Sequence, residues 1–406
     1  MSLFTSGVPR GDGYSSQTEP AGDPAARSHR SLPLTSGKTF AILGSRGYPS
    51  YYGGFETLVR YLAPYLAQQG HKVTVYGRRH QQLKAPIATG ITVRSTWGID
   101  RKSTSTLTYG LSGSLDLAHQ GCDAALVLNV ANGFFLKKLK RHGIPTCVNV
   151  DGLEWTRDKW GPLGKAVLRR GAALTAEYAD ELIFDSEALC GFWQDRFGRS
   201  EGHFIPYGAP VLHAVGTDRL TAAALPFSGY VLVVARLVPE NNLQLLLDAV
   251  DLLKPRPDVI VVGGGSYRST LATQVARLNA AGTIRWLGHV SDQHLLDQLW
   301  AHAAVYWHGH SGGGTNPALL QALGAGAPTL AFDTPFNREV LGSAEQLVPR
   351  EARVVSQRLE EILHSPVLAA ALRESGQAIV RARYDWTAVC RAYADLLEAG
   401  SMPAGC

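Results

Sequence analysis

The residues best suited to chemistry lie between Trp307 and Gly324, in W-H-G-H-S-G-G-G-T-N-P-A-L-L-Q-A-L-G. A glycine-rich turn runs into Thr315-Asn316, then Pro317, then an apolar pattern of helical spacing. Asparagine is a strong N-cap because its side-chain oxygen accepts from amides of the first turn. Proline suits the first helical position, where an N–H would find no partner in the helix. A helix start of this kind carries partial positive charge. Its remaining amides favour an anion seated in the glycine turn, most often a phosphate.

Other segments offer groups of matching type. The loop G-S-R-G-Y-P-S-Y-Y-G-G-F-E-T, Gly44 to Thr57, has glycines at Gly44, Gly47, Gly53 and Gly54 that let backbone come close to a ligand. Gly53-Gly54 opens a helical pattern and so makes a second anion-ready terminus. The dinucleotide fingerprint G-x-G-x-x-G is missing from this loop, and a plain tight turn would use the same glycines. In V-V-A-R-L-V-P-E-N-N, Arg236 stands at the end of a strand. It is placed either to fork onto a phosphate or to pair with Glu240. In V-N-V-D-G-L-E-W, Asp151 and Glu154 follow a buried strand. Asp151 either accepts from a substrate hydroxyl or caps the next segment. His308 and His310 lack further ligands at metal-site spacing, so hydrogen bonding is expected of them and no metal. The basic run Lys137, Lys138, Lys140 and Arg141 adjoins Phe134, Phe135 and Leu136. It reads as a solvated helix face or as a contact with an anionic membrane surface.

The elements that must position these groups alternate regularly. Apolar strand patterns at Lys38–Leu43, His71–Tyr76, Ala124–Leu128, Thr146–Val150 and Glu181–Phe184 are separated by loops and helical spacing. The pattern loosens from Pro206 to Pro226 and restarts with strands at Tyr230–Ala235, Asp258–Gly263, Ile284–Leu287, Ala304–Trp307 and Pro328–Phe332. This order predicts two doubly wound parallel α/β domains, which bind ligands at the carboxyl ends of their strands. The length of 406 residues and 45% hydrophobic content suit two such cores. No run of about 20 apolar residues marks a membrane span. Residues 1–37, rich in Ser, Gly, Pro and Thr, are expected to form a disordered leader. Five scattered cysteines fit reduced thiols in a cytoplasm. A formal net charge of +5 is too mild to indicate a nucleic-acid partner.

Taken in order, the segments resemble the family 4 glycosyltransferases of the GT-B fold, and within them the bacterial rhamnosyltransferase-type branch of surface-polysaccharide assembly. The matching stretches are the Gly44 loop, V-D-G-L-E-W from Val150, D-K-W-G from Asp158, A-D-E-L-I-F-D-S-E-A from Ala179 and I-P-Y-G-A from Ile205. V-A-R-L-V-P-E-N-N from Val234, H-G-H-S-G-G-G-T-N-P from His308 and F-N-R-E-V-L-G from Phe336 complete the set.

The resemblance implies two Rossmann-like domains with a cleft between them, an acceptor-side domain over 38–212 and a nucleotide-sugar domain over 213–383. The last helix, 384–400, is expected to cross back to the first domain. Gly53 and Gly54 match glycines that approach the donor diphosphate, and Arg236 matches the arginine that binds it. The loop carrying His310, Gly313, Gly314, Thr315 and Asn316 matches the one that holds phosphate and sugar. His289 and Val290 match a loop that meets the base, while Asp151 falls where many relatives carry a histidine near the sugar. Tyr51, Glu154 and Trp155 are assigned to the acceptor side. Two positions that are usually glutamate are here Gly313 and Gln321, and a usual lysine is here Asn241. The implied activity is retaining, metal-independent transfer of a sugar, rhamnose or another hexose. The donor is a nucleoside-diphosphate sugar, the acceptor is a lipid-linked saccharide, and no cofactor is needed. The implied location is the cytoplasm, with a peripheral contact at the inner membrane face. A nucleotide-sugar epimerase or a non-catalytic nucleotide-sugar-binding protein would share the layout.

Overall fold

The computed structural model describes residues 37–50, 53–78, 87–100, 104–156, 160–199, 201–264 and 270–400. The predicted leader, apart from Gly37, and Tyr51 lie outside them. Two parallel sheets organise the chain. The first holds β1 (Thr39–Leu43), β2 (Lys72–Arg78), β3 (Ile91–Thr96), β4 (Ala124–Leu128), β5 (Thr146–Asn149), β6 (Glu181–Phe184) and β7 (His203–Phe204). Its spatial order is β3-β2-β1-β4-β5-β6-β7. The second holds β8 (Tyr230–Val234), β9 (Asp258–Val262), β10 (Arg285–Gly288), β11 (Val305–His308), β12 (Thr329–Phe332) and β13 (Leu347–Val348), in the order β10-β9-β8-β11-β12-β13.

Strands covered on both faces lose the polar alternation of a half-wet sheet. Thus β4 reads A-A-L-V-L with every residue buried, and β8 reads Y-V-L-V-V. In register, Phe40 faces both Val73 and Ala124, and Val231 faces Val259 and Val305. β3 is the exception. It is an edge strand with only Ile91 fully buried, so I-T-V-R-S-T shows little apolar signal in sequence.

In each sheet the order reverses beside the first strand, between β1 and β4 and between β8 and β11. Crevices open at the carboxyl ends of strands at such switch points. The Gly44 loop leaves β1, the Arg236 loop leaves β8, and the Gly309 loop leaves β11.

One apolar cluster runs from Ile42 and Leu58 through Tyr207 to Leu319, Leu320 and Tyr384 and so joins the two sheets' layers. The final helix, Trp386–Gly400, packs on the helix Gly54–Gln68 and on β4 and β5. Trp386 stacks on Tyr61 at 4.2 Å between ring centroids, and Asn149 donates to the Tyr393 hydroxyl at 2.7 Å. Lys38 Nζ reaches the Glu398 carbonyl at 2.9 Å.

Candidate functional site

Two helix starts meet where the switch points face each other. Gly53 precedes the helix Gly54–Gln68, and no side chain caps it. A Cβ on Gly54 would stand 3.3 Å from Pro317 Cγ and 3.2 Å from the Tyr207 hydroxyl. Pro317 opens the second helix, Pro317–Gly324, and Asn316 Oδ1 caps it by accepting from the Ala318 amide at 2.9 Å. The Leu319 amide goes to the Asn316 carbonyl. The first turn after Asn316 is therefore largely self-satisfied. The donors this terminus offers an anion are the amides of the preceding glycine turn, backed by the helix dipole.

The glycine turn is braced from both sides. Asn241 lies buried between the Arg236 and Gly309 loops. Its Nδ2 donates to the Arg236 carbonyl at 2.7 Å, which orients the amide so that Oδ1 faces His310 Nδ1 at 2.7 Å. An oxygen there must accept, so the His310 proton sits on Nδ1. Asn242 Nδ2 donates to the Gly309 carbonyl at 2.7 Å, and the Ser311 amide and hydroxyl both reach the Glu240 carbonyl at 2.9 Å. Asn241 thus positions both loops. Arg236 is exposed and makes no ion pair among the described residues, so Glu240 does not hold its guanidinium.

Across the cleft, the Val150 loop and the end of β6 close on the same turn. A Cβ on Gly152 would lie 2.2 Å from the Gly313 carbonyl oxygen. Gly314 has φ +91, and a Cβ there would lie 2.8 Å from Asp185 Oδ1. The Thr315 hydroxyl donates to the Asp185 carbonyl, so Thr315 ties the loop to the opposite domain. Asp151 sits at φ 59, a left-handed conformation uncommon outside glycine, asparagine and aspartate. Its Oδ2 accepts from Asn129 Nδ2 at 3.2 Å, and its amide donates to Asn149 Oδ1 at 2.9 Å.

Asp185 is the residue that sequence reasoning passed over. Its only signal was a carboxylate at the end of a buried strand. The side chain is buried, and Oδ1 has no hydrogen-bond partner among the described residues. Burial pushes its carboxyl up to about 8, with the Asp151 charge adding in the same direction. Near neutrality Asp185 therefore holds its proton. Burial also keeps the Tyr207 hydroxyl protonated, well above its ordinary range, with Asp151 and Asp185 contributing. His308 is buried, and burial with His310 nearby lowers its pKa far enough to keep the ring neutral.

The remaining expected residues fall at varied depth. His289 is exposed and Val290 half-buried just after β10, beside the close backbone contact of Gly263 with the Gly288 carbonyl. Gln321 faces Gln293, with its Oε1 3.5 Å from Nε2. Glu154 and Trp155, assigned to the acceptor side, are both buried. Glu154 Oε2 accepts from Trp160 at 3.2 Å, and Trp155 is only 4% exposed, packed on Phe192 and Phe197. The apolar side of the helix Glu187–Phe197 needs cover, and Trp155 supplies it.

Comparison with known proteins agrees with this geometry. Residues 52–211 match the family described as Glycosyltransferase Family 4, and residues 228–379 match Glycosyl transferases group 1. The chain is 30% identical over 227 residues to a phosphatidyl-myo-inositol mannosyltransferase of Mycobacterium leprae, covering 52% of this chain and 58% of that protein. It is 28% identical over 178 residues to a GDP-mannose-dependent monoacylated alpha-(1-6)-phosphatidylinositol monomannoside mannosyltransferase of Corynebacterium glutamicum, covering 40% of this chain and 45% of that protein. The matched part of the chain therefore spans about half the length of these curated relatives. Among solved structures, the sucrose-phosphate synthase of Thermosynechococcus elongatus superposes with a TM-score of 0.76 at 18% identity, over 89% of this chain and 98% of that one. Two adjoining family matches on a fold of two facing parallel sheets place the chain in the GT-B glycosyltransferases, within family 4.

Proposed function

We propose that the chain transfers a hexosyl group from a nucleoside-diphosphate sugar to a lipid-linked saccharide, with retention and without a metal. The observation that carries this reading is the convergence of the Gly54 and Pro317 helix starts at the cleft, with exposed Arg236 at the end of β8. Helix dipoles, glycine-turn amides and a guanidinium suit the charge that develops on a departing diphosphate. They form an anion clamp that needs no divalent ion to be attractive. Asp151, held by Asn129, is positioned to accept from a sugar hydroxyl and so to orient the transferred ring. Protonated Asp185 keeps its own negative charge away from the diphosphate.

Mannose follows from the names of the curated relatives, and rhamnose from the resemblance of the motif order. A lipid-borne acceptor accords with the lipid substrates in those names. It also accords with the outer face of the first domain. There the helices Gly133–Arg141 and Pro162–Tyr178 pack together and leave Phe134, Leu163, Arg169 and Arg170 exposed. Among the described residues no helix is long and apolar enough to cross a membrane, so a membrane contact would be made by such a face.

The test is a donor panel of GDP-mannose, dTDP-rhamnose, UDP-glucose and UDP-N-acetylglucosamine, each labelled in the sugar, incubated with bacterial lipid extract. Label entering the organic phase from one hexosyl donor supports the proposal. Label that stays water-soluble with every donor counts against a lipid acceptor.

A further inference from the structure

The carboxyl edge of the first sheet holds a second pocket, where the Gly44 loop leaves β1. Ser45 after β1, Arg78 at the end of β2 and Thr96 at the end of β3 line it, with Thr106 and Tyr109 from the helix Ser105–Gln120. Arg78 is only 9% exposed, and its guanidinium lies 5.4 Å from the centre of the Tyr109 ring. Its Nε has no hydrogen-bond partner among the described residues. A buried guanidinium with an unused donor is costly unless an anion completes it.

The nearest acidic groups are occupied elsewhere. Asp100 Oδ2 accepts from the Tyr109 hydroxyl at 3.1 Å, and Glu56 Oε1 accepts from the Arg46 amide at 3.0 Å. Both raise the local negative potential without bonding to Arg78 Nε. Burial lowers the Arg78 pKa, and the Arg46 charge adds in the same direction. An arginine so displaced still keeps its charge at neutral pH. The helix Ser105–Gln120 begins at the pocket wall, and Thr104 makes no side-chain capping bond there. Its positive end therefore adds to Arg78 rather than being spent on a cap.

We propose that this pocket binds a phosphoryl group carried by the acceptor substrate, with Arg78 as its charged contact and the Ser45, Thr96 and Thr106 hydroxyls around it. The word acceptor rests on the proposed transfer activity; phosphate recognition at Arg78 does not. Two sources share this chemistry, a soluble sugar phosphate and the phosphate of a lipid carrier.

The test measures binding of glycerol phosphate and glucose 6-phosphate by calorimetry to the wild type, Arg78→Gln and Arg236→Ala. The expected result is binding that falls about tenfold or more in Arg78→Gln, the loss of one charge-assisted contact, and persists in Arg236→Ala. Equal binding in wild type and Arg78→Gln, or no binding to the wild type of either these ligands or the carrier micelles below, would overturn the inference. Thr96→Val, with Thr106→Val, serves if Arg78→Gln does not fold, and the same loss is expected of that pair. Micelles of a polyprenyl phosphate separate the sources. Saturable binding to micelles alone identifies the lipid phosphate, and binding of soluble sugar phosphates alone identifies those. If phosphate binds through Arg78 but no donor ever transfers, the transfer reading fails and this site stands. If transfer proceeds and its acceptor KM is unchanged in Arg78→Gln, the site fails and the transfer reading stands.

Discussion

Gly54 and Pro317 come from opposite domains, and a methyl group on one would stand 3.3 Å from Cγ of the other. This approach brings two helix N-termini to one point. It also leaves little room for a side chain at the junction, because the Tyr207 ring and hydroxyl lie 3.2 Å from the same position. Gly54→Val should therefore wedge the two starts apart. The expected effect is a loss of about tenfold or more in affinity for nucleoside diphosphates, roughly 1.4 kcal/mol. Titration with GDP, UDP and dTDP checks it, and affinity equal to wild type would remove the shared clamp from the account.

Arg236 is the exposed cation at the end of β8. Arg236→Ala should weaken donor binding by about 2 kcal/mol or more through loss of a charge-assisted contact. Arg236→Lys should recover only part of this, since an ammonium cannot fork onto two oxygens. Because the side chain makes no ion pair among the described residues, folding stability should hardly move. Calorimetry with the preferred nucleotide, beside a urea titration, separates the two effects.

Asp185 makes stability depend on pH. Its folded carboxyl titrates at about 8, whereas an unfolded aspartate titrates near its ordinary value of 3.8. Between those limits the native state holds a proton that the unfolded chain has lost. Stability from this group is complete below the unfolded value and declines as pH rises through the folded one, by at most about 1.4 kcal/mol per pH unit. Asp185→Asn keeps the shape and removes the titration. The gap in stability between variant and wild type should widen in the variant's favour from pH 5 to 8 and then level off. Parallel urea midpoints across that range would show that Asp185 is ionised in the folded protein.

Glu339 joins the domains next to the Thr315–Asp185 tie. Its carboxylate accepts from the Ser186 hydroxyl at 2.6 Å and from the amides of Glu187 at 2.9 Å and Ala188 at 3.2 Å. It is a cap supplied by one domain to a helix of the other. Glu339→Ala should cost about 1 kcal/mol in stability, typical of a lost N-cap. It should also raise the donor KM more than it lowers kcat, because closure over the donor weakens. A changed kcat at unchanged KM would assign Glu339 to the chemical step instead.

Legibility in the sequence followed the range of the interactions. Asn316 could be read as a cap because its partner, Ala318, is two positions away. The strands β1, β4, β8 and β9 could be read because burial on both faces imposes uninterrupted apolar runs. β3 was missed because an edge strand keeps polar residues, and the two-residue β13 is too short to show a pattern. Asp185 was illegible for a different reason. The loop that buries it, through Gly314 and Thr315, arrives from 130 residues further on. The packing of Trp155 was equally illegible. An aromatic next to Glu154 in a glycine-bearing loop looks like a ligand contact, and only its packing on Phe192 and Phe197 reveals a core residue.

The central claim is group transfer from a nucleoside-diphosphate sugar, and released nucleoside diphosphate measures it most directly. The protein is incubated with the donor that binds best, with and without lipid extract, and both the nucleotide and the sugar nucleotide are followed by chromatography. Release that depends on the extract, and that falls in both Arg236→Ala and Gly54→Val, is the predicted result. Conversion of the donor into another sugar nucleotide without any acceptor would contradict transfer and indicate an epimerase, and tight donor binding with no turnover under either condition would indicate a binding protein.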